Sequence, residues 1–148
     1  MIRYLETLVA VGLLASLTSS VYAQQQTAVT IKQLLDTTTT SAGQKIELPK
    51  KDAEVVASIF ELPPLANLPE HEHPYPRYGY VLSGSLRVTD TETGQSKTYR
   101  PGDFVVESVG RWHTGANAGE EPTKLLVIDI VEAKHSNTVL RNSLQSGR

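Results

Sequence analysis

From Gln44 onward, short β-branched runs alternate with proline and glycine punctuation, and this rhythm constrains the fold more than any other feature of the chain. Val55–Leu62 (VVASIFEL) stops at Pro63 and Pro64. Tyr78–Leu82 runs into a Ser83-Gly84 turn, and Ser85–Thr91 follows it. Glu92–Gln95 turns the chain into Ser96–Arg100, and Pro101-Gly102-Asp103 turns it into Phe104–Val106. Lys124–Val131 (KLLVIDIV) is the most apolar late run and is expected to be well buried. Strands spaced every 8–12 residues, with turn residues between them, predict an antiparallel sandwich or barrel. No stretch has the length and period of the crossover helix that neighbouring parallel strands would need. The fold class is all-β.

The ends of the chain read differently. Arg3, the apolar run Leu8–Leu17 and the small residues Val21 and Ala23 form the pattern of a secretory signal peptide, with cleavage expected after Ala23. The apolar run is shorter than the roughly 20 residues of a membrane span. An uncleaved anchor is the competing reading, because Glu6 weakens the basic start. Residues 24–43 form an N-terminal extension in which Val29–Leu35 fits a strand or a helical turn and Thr37–Thr40 a polar loop. Residues 44–133 carry the domain. Residues 134–148 form a C-terminal tail, with a short helix expected over Asn137–Leu144, capped by Ser136 or Asn137. The expected location is periplasmic or secreted, with no membrane contact after cleavage.

At 148 residues the chain fits one domain. The absence of cysteine excludes disulfides, thiolate metal sites and cysteine nucleophiles. A formal net charge of −2 leaves no basic surplus to suggest a nucleic-acid partner.

Three of the four histidines fall in two compact contexts, His71-Glu72-His73 and Trp112-His113. On a strand, alternate side chains share a face, so His71 and His73 project together and Glu72 points away. A third imidazole from a neighbouring strand would complete three metal ligands and leave a coordination position open. The plainer alternative is that these histidines decorate a loop, since Pro69 and Pro74 bracket the pair.

Here the chain resembles the cupin superfamily. Leu68–Gly84 (LPEHEHPYPRYGYVLSG) is similar to the first cupin motif, and Gly102–Asn117 (GDFVVESVGRWHTGAN) to the second, with Gly102, Gly110, His113 and Asn117 in step. The resemblance implies a cupin-type jelly-roll β-barrel with short N- and C-terminal extensions. It also implies a divalent metal (Fe, Zn, Mn, Ni or Cu) held by His71, His73 and His113. Gly84, Gly102 and Gly110 match turn glycines, where positive φ or close packing is the usual need.

Two departures stand out. The family's glutamate ligand falls on Arg77, and Ser108 replaces a proline of the second motif. A guanidinium cannot ligate a cation. At about 5 Å from a divalent ion and an effective dielectric of 20 it would cost roughly 6–7 kcal/mol. Arg77 is therefore expected to bind an anionic substrate group, to pair with Glu70, Glu72 or Glu107, or to mark a metal-free anion pocket. Glu107 follows an apolar run. A solvated or ion-paired carboxylate is the ordinary outcome there, and a replacement fourth ligand is the alternative. Tyr78, Tyr80 and Trp112 read as packing, Asp129 as a hydrogen-bonded structural residue and His135 as exposed.

Two functions fit. One is an exported metal-binding cupin beside a small-molecule pocket; whether it is an enzyme stays open, with a metal-dependent oxygenase or isomerase as the form it would take and no catalytic residue singled out. The other is a metal-free, non-catalytic cupin that holds a small anionic or sugar ligand through Arg77. Self-pairing into a homodimer is compatible with either.

Overall fold

The computed structural model describes residues 28–141. The expected signal peptide, and the part of the expected tail helix beyond Arg141, lie outside the described residues. Residues 28–31 are exposed and belong to no strand or helix. The described residues from Lys32 to Arg141 form one compact unit.

Among the described residues, nine strands form two sheets. The first sheet has the order β1-β8-β3-β6, with β1 at Ala53–Leu62, β3 at Arg77–Ser83, β6 at Phe104–Val106 and β8 at Thr123–Glu132. The second runs β5-β4-β7-β2-β9, with β2 at His71–Glu72, β4 at Leu86–Asp90, β5 at Ser96–Tyr99, β7 at His113–Asn117 and β9 at Val139–Leu140. Every pairing is antiparallel. The architecture is all-β, as the turn spacing predicts.

The core lies between the sheets. Leu62, Val81, Val105, Leu125 and Val127 from the first sheet meet Leu86 and Tyr99 from the second. Removing each such side chain from water contributes about 1.5–3 kcal/mol. Period-2 alternation decides which residues point inward. On β3 these are Arg77, Gly79 and Val81, while Tyr78 and Tyr80 sit half-buried on the opposite face. On β8 they are Thr123, Leu125, Val127, Asp129 and Val131. The β8 run is thus fully buried only at alternate positions, because its other face is covered in part.

Gly84 is a turn glycine in the strict sense. Its φ is +76°, and a Cβ there would lie 2.5 Å from Thr123 Oγ1 and 2.6 Å from Thr123 Cα. Gly102 and Gly110 also have positive φ, at 93° and 61°.

Two local expectations fail among the described residues. The segment Val29–Leu35 forms neither strand nor helical turn. The tail forms no helix from Asn137. It adds β9 to the edge of β2, pairing His71 with Leu140 and Glu72 with Val139. A short polar run has no decisive period of its own, so the unpaired edge of β2 determines its conformation.

Candidate metal centre

His71 lies in β2 and faces His113, the first residue of β7, as its direct cross-strand partner. His73 comes just after β2 and is fully buried. Glu107 comes directly after β6, where its backbone N–H donates to the Arg77 carbonyl (2.8 Å). Four strand ends therefore deliver three imidazoles and a carboxylate to one point. One ligand atom from each of the four lies within 4.8 Å of the others.

The histidines are oriented alike. His71 Nδ1 donates to the Pro69 carbonyl at 2.7 Å, His113 Nδ1 to the Arg111 carbonyl at 2.8 Å, and His73 Nδ1 to the Asn137 carbonyl. A carbonyl oxygen only accepts, so each Nδ1 must carry the proton. Each Nε2 is left as the free ring nitrogen, the arrangement by which outer partners fix a metal-binding imidazole.

Glu107 Oε2 lies 2.9 Å from His73 Nε2 and 3.3 Å from His113 Nε2. The second contact lacks hydrogen-bond geometry, so the buried His113 Nε2 has no hydrogen-bond partner among the described residues. An imidazole lone pair facing a carboxylate oxygen is repulsive, so the cluster requires positive charge at its centre, from a proton or a metal ion.

The titration tendencies reflect this conflict. Burial pushes His71 down to about 4 despite the Pro69 carbonyl, so its imidazole stays neutral. Burial alone would raise Glu107, but contacts with His113 and His73 outweigh it and hold the carboxyl far below its ordinary range. Burial would lower His113, yet Glu107 and the Arg111 carbonyl raise it.

Arg77 sits elsewhere in the network. Its guanidinium makes a two-pronged pair with Asp129, Nε to Oδ1 at 2.9 Å and Nη2 to Oδ2 at 2.8 Å, and Nη2 also donates to Thr138 Oγ1 at 3.1 Å. Both partners are buried, and they are cross-strand neighbours in the β3–β8 register. The partners expected from sequence, Glu70, Glu72 and Glu107, are not the ones used. Glu70 instead accepts from Thr91 and Arg141, which hold its carboxyl below the usual range.

A cavity of about 20 Å³ adjoins the cluster, room for one or two small atoms. Phe60, Leu86 and Val127 make its apolar wall, and His71, Arg77, Glu107 and His113 its polar side. His113 also borders an open groove of about 520 Å³, which Tyr99, Ser96 and Arg111 help to line.

The family model described as "Cupin domain" matches residues 58–129. Residues 58–129 form a cupin domain. Among solved structures, the cupin is similar to the oxalate decarboxylase of Lactobacillus farciminis in its formate complex, with a TM-score of 0.53 and 20% identity over 64% of this chain and 28% of that one. A mutant of the Bacillus subtilis oxalate decarboxylase gives a TM-score of 0.52 and 26% identity over 64% of this chain and 26% of that one. The Bacillus subtilis enzyme has also been studied for its Mn(II) centres. The chain thus spans little more than a quarter of the length of these decarboxylases. No curated protein matches it.

The structure brings His71, His73, His113 and Glu107 of this cupin together and leaves His135 exposed on the tail. Sequence reasoning missed Asn137, for which nothing in the local pattern gives a signal. It also left Asp129 unmatched to Arg77. A lone aspartate in the inward phase of an apolar strand was the available clue that a buried cation lay opposite.

Proposed function

We propose that this cupin binds one divalent metal ion through the Nε2 atoms of His71, His73 and His113, with Glu107 as the fourth donor, beside a pocket for a small molecule. The observation that carries the reading is the shared orientation of the imidazoles. All three spend Nδ1–H on a backbone carbonyl, which leaves Nε2 as the open donor; the Nε2 atoms of His73 and His113 face Glu107 Oε2, and a ring nitrogen of His71 lies within 4.8 Å of the other donors. Glu107 supplies the negative charge that the family pattern places where this chain has Arg77.

Three nitrogens and one oxygen suit Mn²⁺, Fe²⁺, Zn²⁺, Ni²⁺ or Cu²⁺, and donor type alone does not choose among them. A bound ion would supply Lewis acidity or, with a redox-active metal, oxygen chemistry. The reaction we place here is accordingly oxygen insertion or isomerisation of a small molecule. The cavity admits only a small reacting group on its side, and the open groove beside His113 would take the remainder. On the strength of residues 1–23 we place the mature protein in the periplasm or outside the cell.

The rival is a metal-free site that holds a small anionic or sugar ligand through Arg77, and its support is that Arg77 lines the cavity. Neutralisation by Asp129 weighs against it, because the guanidinium already has a matched carboxylate. Elemental analysis of protein purified without an affinity metal column separates the two. Near one metal per chain in the wild type, and none in a folded His71→Ala variant, supports the metal centre. No metal in the wild type, with loss of ligand binding in Arg77→Ala, supports the rival.

A further inference from the structure

We propose that Asn137 is a positioning residue of this centre, setting His73 and tying the first histidine motif to the buried Arg77–Asp129 pair. The inference rests on the metal-binding reading above and adds to it a part played by the C-terminal segment.

Asn137 is buried and uses its polar atoms in three directions. Its carbonyl accepts from His73 Nδ1. Its Oδ1 accepts from the Tyr75 backbone N–H at 2.9 Å. Its Nδ2 donates to Asp129 Oδ1 at 2.6 Å, the same oxygen that accepts from Arg77 Nε. The residue therefore touches the ligand itself and the backbone two positions beyond it, and it anchors both to β8. Only an amide side chain offers an acceptor and a donor at this reach, since a carboxylate cannot donate and an apolar group can do neither.

The histidine strand needs this support. β2 has two residues and β9 has two, so their ladder alone holds His73 weakly. The next contact, the Arg141 N–H to the Glu70 carbonyl at 3.1 Å, closes the same segment over the other side of the motif. Outer-shell partners of this type set the tautomer and plane of a ligand ring, and losing them commonly weakens metal binding 10–100-fold.

Asn117 provides a matched control. Its side chain also makes buried hydrogen bonds, with the carbonyls of Leu62 and Glu121 and the N–H of Gly119, but it sits at the far end of β7 from His113.

The test titrates the metal-free full-length chain with Co²⁺ and follows visible absorption, in the wild type, Asn137→Ala and Asn117→Ala. Asn137→Ala keeps the backbone carbonyl that accepts from His73 Nδ1 but removes the side-chain bonds to Tyr75 and Asp129 that place it. The expected result is therefore a Kd weakened about 10-fold, the low end for a lost outer partner, with altered band positions or intensities. Asn117→Ala should lower the melting temperature yet keep the wild-type Kd and bands. Wild-type Kd and spectrum in Asn137→Ala overturn the proposal, as does equal weakening in Asn117→Ala.

A wild-type measurement covers the case in which Asn137→Ala does not fold. If Asn137 couples to the ion, Co²⁺ must in turn hold this segment. Hydrogen exchange of the Tyr75 amide should then slow on adding Co²⁺, and unchanged exchange overturns the proposal. A wild type that takes up no Co²⁺ overturns the metal reading, and this inference falls with it. A wild type that binds Co²⁺ without these effects overturns this inference alone.

Discussion

His71 and His113 stand opposite each other across the β2–β7 pair with ring centroids 4.4 Å apart, and each turns Nδ1 back to the carbonyl two residues before it in its own chain. The same local device, repeated on adjacent strands, aims two Nε2 atoms at one point. His73 reaches that point with help from a distant segment, through the Asn137 carbonyl. Two ligands are thus set by local geometry and the third by tertiary contact.

The Arg77–Asp129 pair should be costly to break from one side. Arg77→Met alone leaves Asp129 buried and uncompensated, and destabilisation of about 3–5 kcal/mol is expected from urea unfolding. The double variant Arg77→Met/Asp129→Leu should recover most of that loss. A double variant as unstable as the single one would show that the network around Asn137 and Thr138, more than the charge pair, holds this region.

The metal-free protein should be most stable near pH 6.5. His71 is depressed to about 4 in the fold, so between pH 4 and 6.5 the unfolded chain binds the extra proton and stability rises with pH. That change amounts to about 3 kcal/mol. His113 is raised in the fold, so above about 6.5 the folded chain holds the extra proton and stability falls as pH climbs through the folded value. Denaturant midpoints across pH 4–9 check the shape. A metal-free midpoint that rises steadily through pH 8 would contradict it.

Two glycines with nearly equal φ should respond differently to alanine. Gly84 (φ +76°) would place its Cβ against the Thr123 backbone, whereas Gly94 (φ +73°) has open space around it. Gly94→Ala should cost about 1 kcal/mol of backbone strain, and Gly84→Ala several-fold more because Thr123 must also move. Comparable losses in the two variants would show that steric contact adds nothing at Gly84.

Much of the fold was legible because its signals are local. Turn residues mark the ends of β3, β4, β5 and β6, and β-branched residues fill β1 and β8, so these strands lie within one or two residues of the expected spans. β9 was not legible. Val139 and Leu140 carry too short a pattern to choose a period, and an edge supplied by a segment almost 70 residues earlier decides. The three histidines were legible from two motifs in order. Glu107 was legible only as an alternative, a replacement fourth ligand set beside the ordinary solvated or ion-paired carboxylate, because a charged residue after an apolar run is equally compatible with solvent until the turn out of β6 brings it beside the histidines. The partner of Arg77 lies 52 residues away on β8, and no local rule connects them.

X-ray absorption at the edge of the bound metal tests the central claim most directly, because it reads the donor atoms themselves. The protein is loaded with one equivalent of Mn²⁺, Fe²⁺ or Zn²⁺ and desalted. The account predicts retention of one ion whose first shell contains three imidazole nitrogens and a carboxylate oxygen, with imidazole scattering reduced in His71→Ala. No retained ion, or a retained ion surrounded only by oxygen, would contradict it.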